Sequence, residues 1–202
     1  MKNILKNTLI LTAITLVAGI LLGLVYEITK EPIALAKEAA KKEAYQQVMA
    51  DADAFDSLEL VEKAIKEVED TVESSGCIIN EVVEAKANGE TVGYVVTTTT
   101  SEGYGGEIQI SVGILKDGTV NGVAILSIGE TAGLGMKATE EEFYGQYAGK
   151  NVAFFTVTKT GASSDEEIDA LSGATITSNA MTKAVNSAVV YYKHALGGSA
   201  NE

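Results

Sequence analysis

The sequence predicts an α+β domain behind one amino-terminal transmembrane helix. Three observations lead to this fold class. An uncharged apolar run lies near the start of the chain, four alternating segments follow in pairs separated by Asn-Gly and Asp-Gly dipeptides, and an amphipathic helical run lies near the end. Because such paired segments form antiparallel hairpins, we expect one antiparallel sheet with a packed carboxy-terminal helix against its apolar face.

The transmembrane segment is predicted at residues 7–26. Lys2 and Lys6 precede it, and the uncharged run is long enough to cross a bilayer as a helix. A cleavable signal peptide is the alternative interpretation. The apolar run exceeds the usual core of such peptides, however, and no small-x-small cleavage site follows it before Glu27. We therefore expect an uncleaved anchor.

Two helices are predicted between the anchor and the sheet. Pro32 suits the first turn of a helix, and residues 33–49 are rich in Ala, Lys, Glu and Gln, which favour helix. Residues 58–69 carry apolar side chains near helical spacing, and Asp56 or Ser57 is available as their N-cap. We therefore expect residues 27–75 to form a helical connector.

The predicted sheet has four strands that form two hairpins. Asn88-Gly89 separates the first pair and Asp117-Gly118 the second, and both dipeptides favour two-residue hairpin turns. The alternation over residues 108–114 suits a sheet with one buried face. The strands are expected at residues 78–86, 91–99, 107–115 and 120–127.

The segment between the sheet and the last helix is predicted to be irregular. Residues 130–137 form a glycine-rich loop, where backbone can approach a flat ring or adopt positive φ. Residues 139–142 fit a capping box that opens a short helix through Tyr147. Residues 152–158 have the character of a further strand, and residues 163–167 that of a helical turn.

The last helix is predicted at residues 179–196, with Thr177 or Ser178 as its N-cap and Gly197-Gly198 at its end. The first N–H groups of a helix lack intrahelical acceptors and lie at the positive end of its dipole. They would therefore face the hydroxyl-rich residues just before the helix. Such a position stabilises an anion, for example a phosphate.

The charge of the chain limits the classes of partner. Among 202 residues there are 15 Lys and Arg against 28 Asp and Glu, which gives a net charge of -13. All of the basic residues are Lys. This balance argues against binding to nucleic acid or to anionic lipid, because both require basic groups that neutralise phosphates. We expect the partners to be proteins or cationic species.

The single Cys77 and the single His194 exclude several kinds of site. One thiol cannot form an intramolecular disulfide, an iron–sulfur site or a structural zinc site by itself. His194 falls in the last turn of the final helix, where an imidazole is typically a solvated partner of the helix dipole. We expect no metal site and no catalytic residue in this chain.

One stretch carries a chemical signature. It is Asp-Ala-Leu-Ser-Gly-Ala-Thr at residues 169–175, followed by Ile-Thr-Ser. This pattern resembles the attachment motif of covalently flavinylated FMN-binding domains. Residues 129–135 resemble a second motif of that family, usually Glu-Thr-Pro-Gly-Leu-Gly. Ala132 replaces the usual proline in this sequence, which reduces the rigidity of the loop.

The resemblance implies that Thr175 holds FMN through a phosphoester. A flavin transferase would install the group from FAD, with Asp169 as part of its recognition sequence, so that Thr175 is a modification acceptor and not a catalytic nucleophile. We expect residues 130–135 to cover part of the flavin ring. The further cofactor-binding residues implied are Ser172, Gly173, Ala174, Thr177, Ser178, Glu130, Thr131, Gly133, Leu134 and Gly135.

The whole chain, including residues 103–106 (Gly-Tyr-Gly-Gly), resembles the G subunit of the Rnf ion-translocating electron-transport complex. That resemblance implies an electron relay within a ferredoxin:NAD oxidoreductase, with other membrane and redox subunits as partners. It also implies a cytoplasmic amino terminus and an extracytoplasmic flavin domain. The expected division is residues 1–26 as amino terminus and anchor, 27–75 as connector, 76–198 as FMN-binding domain and 199–202 as tail.

Three alternatives remain open from the sequence. The chain also resembles the related C subunit of the sodium-translocating NADH:quinone reductase. A membrane-anchored extracytoplasmic interaction module without a cofactor would have the same anchor and acidic domain. A hydrolase that uses Ser172 or Ser178 is disfavoured, because the sequence has no Gly-x-Ser-x-Gly elbow and no suitable base.

Overall fold

The computed structural model describes residues 2–197, with side chains from residue 3 onward. Gly198 and the predicted tail at residues 199–202 lie outside the described residues. The chain divides into two compact units, Met1–Lys41 and Lys42–Glu202. The helices are α1 Lys2–Val48, α2 Glu62–Asp70, α3 Glu141–Tyr144 and α4 Thr175–Tyr191, and the strands are β1 Ala54–Leu58, β2 Cys77–Ala87, β3 Glu90–Thr100, β4 Ile108–Leu115, β5 Val120–Ile128, β6 Thr156–Thr158 and β7 Glu167–Asp169.

Helix α1 contains the predicted membrane anchor. Within the described part of the chain it is the one helix long and apolar enough to cross a bilayer. It fits a single-pass membrane anchor. The prediction that Pro32 begins a second helix is wrong, because Pro32 lies inside α1. Proline removes one backbone N–H bond, and the strong helix formers that follow it maintain the helix.

Strands β1 to β5 form one antiparallel sheet in sequential order, which confirms the predicted fold class. The turn between β2 and β3 has Asn88 at φ 53° and Gly89 at φ 81°, as a type I′ hairpin turn requires. In the turn between β4 and β5, the Asp117 carboxylate accepts a hydrogen bond from the Thr119 N–H at 2.9 Å. Both predicted hairpins are therefore present.

The sheet has a fifth strand, β1, where the sequence predicted the start of a helix. Asp56 and Ser57 belong to β1 and do not cap α2. The Asp56 carboxylate instead accepts a hydrogen bond from Lys86 Nζ at 2.7 Å. Helix α2 has no side-chain N-cap of its own. The Val61 N–H at its start donates to the Tyr191 hydroxyl at 2.9 Å, so a residue of α4 satisfies this helix end.

Helix α4 packs on one face of the sheet, as predicted. Met181, Ala184 and Val185 have no solvent exposure and belong to the same core as Val96 and Ile110 of the sheet. The end of α1 covers the opposite face within the second unit. Its buried residues Ala44, Tyr45, Val48 and Met49 pack with Val83, Ala85, Val95 and Ala124.

The region between the sheet and α4 differs from the prediction in its short elements. The capping box is wrong, because Glu140 is the N-cap of α3 without a side-chain bond. The Thr139 hydroxyl donates to the Met136 carbonyl at 2.8 Å, so it serves the preceding 3₁₀ turn, Gly135–Thr139. A second 3₁₀ turn, Gly145–Tyr147, follows α3.

The predicted strand at residues 152–158 is reduced to β6. The predicted helical turn at residues 163–167 is reduced to a single turn, in which the Glu167 N–H donates to the Ser164 carbonyl at 3.1 Å. The Phe155 N–H donates to Asn186 Oδ1 at 2.8 Å, so this backbone bonds to α4 and not to a neighbouring strand. The Glu167 carboxylate accepts hydrogen bonds from the N–H and the hydroxyl of Ser163. Glu167 begins β7, which pairs in parallel with β6.

Candidate functional site

The start of α4 lies inside the sequence motif. Ala174 is the N-cap, with φ −133° and ψ 47°, and makes no side-chain cap bond. The prediction that Thr177 or Ser178 caps the helix is therefore wrong. Thr175, Ile176 and Thr177 occupy the first three helical positions, where the backbone N–H groups have no acceptor within the helix. The positive end of the helix dipole thus coincides with the motif hydroxyls.

The loop before α4 is held by a buried hydroxyl. Ser178 Oγ accepts a hydrogen bond from the Leu171 N–H at 2.9 Å and donates to the Ala174 carbonyl at 3.0 Å. The Ala174 N–H donates to the Leu171 carbonyl at 3.0 Å, and Gly173 adopts φ 76°. These bonds hold the segment of residues 169–174, which is called the motif loop below. Ser178 therefore shapes this loop from the interior.

A cavity of about 530 Å³, here the first cavity, opens beside Thr175. Residues of both sequence motifs line it. Its lining contains the predicted site residues Glu130, Thr131, Leu134, Gly135, Gly173, Ala174, Thr175 and Thr177. Three other predicted site residues, Ser172, Ser178 and Gly133, do not line it.

Two lining residues were not predicted from the sequence. Tyr104 is 72% exposed and Ile176 is 54% exposed, and both border the first cavity. The signal for Tyr104 is its position between glycines in residues 103–106. Ile176 lies within the motif, and its exposed branched side chain is unusual at a helix start that is otherwise hydroxyl-rich. With Leu134, they give this cavity an apolar margin.

Close backbone contacts at glycine bring three segments together around Glu130. A Cβ added to Gly135 would lie 2.7 Å from both Glu130 Oε2 and Thr177 Oγ1. A Cβ added to Gly105 would lie 2.2 Å from the Gly129 carbonyl oxygen. Because these contacts leave no room for a side chain, residues 103–106, residues 129–135 and the start of α4 can only meet through glycine.

Glu130 is buried in this arrangement. The residue is 8% exposed, and its Oε1 has no hydrogen-bond partner in the described part of the chain. Gly133 has a different role from Gly135. It adopts φ 76° in a turn in which the Leu134 N–H donates to the Thr131 carbonyl at 3.1 Å. Gly133 therefore supplies a left-handed backbone, whereas Gly135 supplies space.

Asp169 and Ser172 line a second cavity of about 360 Å³. Lys137, Phe143 and Gln146 also line it. The Asp169 carboxylate accepts a hydrogen bond from the Ala162 N–H at 2.7 Å, which fixes it to the segment before β7. The predicted recognition residue is therefore separate from the lining of the first cavity.

The described residues contain no assembled metal site. No group of three or more His, Cys, Asp or Glu side chains among them could hold a metal ion. The Cys77 thiol is buried, and burial raises its pKa, so the reactive thiolate is disfavoured. What the first cavity offers is free N–H groups, hydroxyls, one buried carboxylate and apolar surface, which suits binding of a phosphate-bearing aromatic molecule.

Comparisons with known proteins give a consistent family. The family described as FMN-binding domain matches residues 103–190, and the one described as RnfG N-terminal region matches residues 1–48. The G subunit of the Na(+)-translocating ferredoxin:NAD(+) oxidoreductase complex of Acetobacterium woodii is 35% identical over 198 residues, covering 96% of this chain and 93% of that protein. The G subunit of the ion-translocating oxidoreductase complex of Methanosarcina acetivorans is 34% identical, covering 94% of this chain and 95% of that protein. The solved structure of Shewanella oneidensis NqrC matches 56% of this chain and 57% of that chain, with a TM-score of 0.48 and 23% identity.

Proposed function

Because this chain belongs to the family of G subunits of Rnf-type ion-translocating oxidoreductase complexes, which carry an FMN-binding domain, we propose that it is a membrane-bound electron-transfer subunit with FMN phosphoester-linked to Thr175. The observation that carries the proposal is the position of Thr175. It is the first residue of α4 and lines the first cavity. A phosphate on its hydroxyl would lie at free N–H groups and at the positive end of the helix dipole.

The lining of the first cavity supports FMN as the group that it holds. Its volume lies in the range of small-molecule sites. Tyr104, Leu134 and Ile176 offer apolar surface to a flat ring, and Gly135 keeps the backbone close. Among the other residues named from the sequence, we propose that Glu130, Thr131, Gly173, Ala174 and Thr177 contact the cofactor. Ser172, Ser178 and Gly133 would act by shaping the loops that carry these contacts.

The bound FMN would supply the redox chemistry, since a flavin accepts one or two electrons at a time. The residues of this chain would position it and limit its contact with water. The names of the relatives, which refer to a ferredoxin:NAD(+) oxidoreductase complex, support a relay function in such a complex. Other membrane and redox subunits would then be the partners of this chain.

We propose further that a flavin transferase loads Thr175 and recognises Asp169. The separation of Asp169 from the first cavity supports this division of roles, because a maturation enzyme needs access to the motif from outside the cofactor site. The hydroxyl of Thr175, in the first cavity, and the second cavity flank the motif loop. A transferase could therefore bind at the second cavity while it modifies the Thr175 hydroxyl.

For the membrane topology, we propose a cytoplasmic amino terminus and an extracytoplasmic flavin domain. The resemblance to Rnf G subunits supports this orientation. The lysines do not discriminate between the two orientations, because Lys2 and Lys6 precede the anchor and Lys30, Lys37, Lys41 and Lys42 follow it. The test is labelling of Glu166→Cys in a Cys77→Ser background with a membrane-impermeant thiol reagent. We expect labelling in intact cells with a permeable outer envelope. Labelling only after lysis would place the domain in the cytoplasm.

The covalent flavin is tested by producing the full-length chain with and without a flavin transferase. We expect a fluorescent band under ultraviolet light on a denaturing gel only when the transferase is present. A cofactor-free interaction module would give no fluorescence in either case. A noncovalent flavoprotein would be coloured before denaturation but would give no band on the gel.

A further inference from the structure

Glu130 is a feature whose role a phosphate-binding loop alone does not explain. The residue is 8% exposed, and its Oε1 is without a hydrogen-bond partner among the residues that the structure describes. A carboxylate is rarely buried in this way, because the loss of hydration costs free energy that only hydrogen bonds or a counter-charge recover. The described part of the chain thus presents a buried acceptor, Oε1, for which it supplies no donor.

Two glycines fix the position of this carboxylate. A Cβ on Gly103 would lie 2.8 Å from Oε1, and a Cβ on Gly135 would lie 2.7 Å from Oε2. A side chain at either glycine would therefore displace the carboxylate. Glu130 also lines the first cavity beside Thr131 and Thr177. The two glycines thus leave room for the Glu130 carboxylate between them. A hydrogen-bond donor can approach this carboxylate from the first cavity.

We propose that the Glu130 carboxylate accepts a hydrogen bond from the bound flavin, and that it destabilises the chain until the flavin is attached. This inference rests on the proposed function. A flavin offers two kinds of donor, the hydroxyls of its ribityl chain and an N–H of its ring. A carboxylate forms shorter and stronger bonds with such donors than a neutral acceptor does. The flavin phosphate is unsuitable as the partner, because both groups are negative.

The proposal predicts different effects of one substitution in the two states of the protein. Without flavin, Glu130→Gln replaces a buried carboxylate whose Oε1 has no partner among the described residues by a neutral amide, which raises the melting temperature. With flavin attached, the same substitution weakens a charge-assisted hydrogen bond. The increase in melting temperature on loading is therefore smaller in Glu130→Gln than in the parent.

The experiment is a double cycle of substitution and loading on the full-length chain in detergent. Each variant is produced with and without a flavin transferase, mass spectrometry records whether the flavin is attached, and temperature-dependent proteolysis gives the melting temperature. Glu166→Gln is the control, because Glu166 is exposed and does not line the first cavity. We expect unloaded Glu130→Gln to melt several degrees above the unloaded parent, and Glu166→Gln to follow the parent in both states.

A redox titration of the loaded proteins identifies the donor. A shift in the reduction potential of Glu130→Gln indicates the ring N–H, and an unchanged potential indicates a ribityl hydroxyl; both agree with the proposal. An unloaded Glu130→Gln that fails to fold or melts no higher than the parent would overturn it, as would an equal effect of loading in both proteins. Those results would leave the proposed attachment of flavin to Thr175 unaffected. A parent that carries no flavin by mass spectrometry would refute the proposed function and this inference together.

Discussion

Gln146 holds Asp169 by both atoms of its side-chain amide. Its Oε1 accepts a hydrogen bond from the Asp169 N–H at 2.7 Å, and its Nε2 donates to the Asp169 carbonyl at 3.4 Å. Gln146 lies in the turn after α3, whereas Asp169 opens the motif loop. The short helical segment after the sheet therefore sets the start of the loop that ends at Thr175.

Gln146→Ala should slow the attachment of flavin without unfolding the domain. Loss of these hydrogen bonds costs about 1 kcal/mol and allows the motif loop to leave the arrangement that a transferase would recognise. The measurement is the time course of in-gel flavin fluorescence with purified transferase, where a decrease of roughly fivefold corresponds to that energy. Gln146→Glu keeps the Oε1 acceptor and should have an intermediate rate. Equal rates for all three proteins would show that the loop needs no such support.

Gly135→Ala and Gly133→Ala should affect the protein in different ways. The new Cβ at Gly135 would meet Glu130 Oε2 and Thr177 Oγ1 at 2.7 Å, so the lining of the first cavity must move and the reduction potential of the loaded protein should change. The new Cβ at Gly133 meets no atom within 4 Å, but the φ of 76° is strained for alanine. We expect Gly133→Ala to lower stability by about 1 kcal/mol and to leave the potential unchanged. If both variants had the reduction potential of the parent, the flavin ring would lie away from Gly135.

Tyr191→Phe should destabilise the fold through a helix end that is remote in sequence. The Tyr191 hydroxyl accepts the hydrogen bond of the Val61 N–H, and its loss leaves that partly buried donor without a protein partner at a cost of about 1 kcal/mol. Tyr144→Phe is the control, since the Tyr144 hydroxyl forms no hydrogen bond with a described residue. Thermal unfolding of the two variants checks this expectation. Equal melting temperatures would mean that water replaces the Tyr191 hydroxyl.

The strands of the sheet could be predicted because their signals are local. Asn88-Gly89 and Asp117-Gly118 specify tight hairpins by themselves, and the alternation between them specifies the buried face. Strand β1 could not be predicted in this way. Its five residues lack alternation of burial, and the pairing of Asp56 with Glu84 and Lys86 depends on β2, which lies far along the chain.

The candidate site was predictable as a set of motifs but not as a geometry. Hydroxyls at Thr177 and Ser178 fit the rule for helix caps, yet α4 begins at Thr175 because the Ser178 side chain turns inward to hold the motif loop. The burial of Glu130 and the approach of Tyr104 result from contacts between three segments distant in sequence. No local pattern encodes such contacts.

Thr175→Ala and Thr177→Ala form the pair that separates the two hydroxyls of α4 that line the first cavity. Thr175→Ala should abolish the covalent flavin and preserve the fold, because this side chain is only half-buried. Thr177→Ala should keep the flavin. Thr177 is 1% exposed, and its hydroxyl does not cap α4. Full-length mass of each protein made with a transferase gives the result directly, and a Thr177→Ala protein without flavin would make Thr177 the acceptor.

Peptide mapping by mass spectrometry of the loaded parent tests the central claim most directly. The proposed function predicts one FMN per chain, attached through its phosphate to Thr175 in the peptide that spans the motif loop and the start of α4. The same preparation without transferase should give that peptide unmodified. An FMN on Ser172, Thr177 or any other residue, or a parent chain without covalent FMN, would contradict the account.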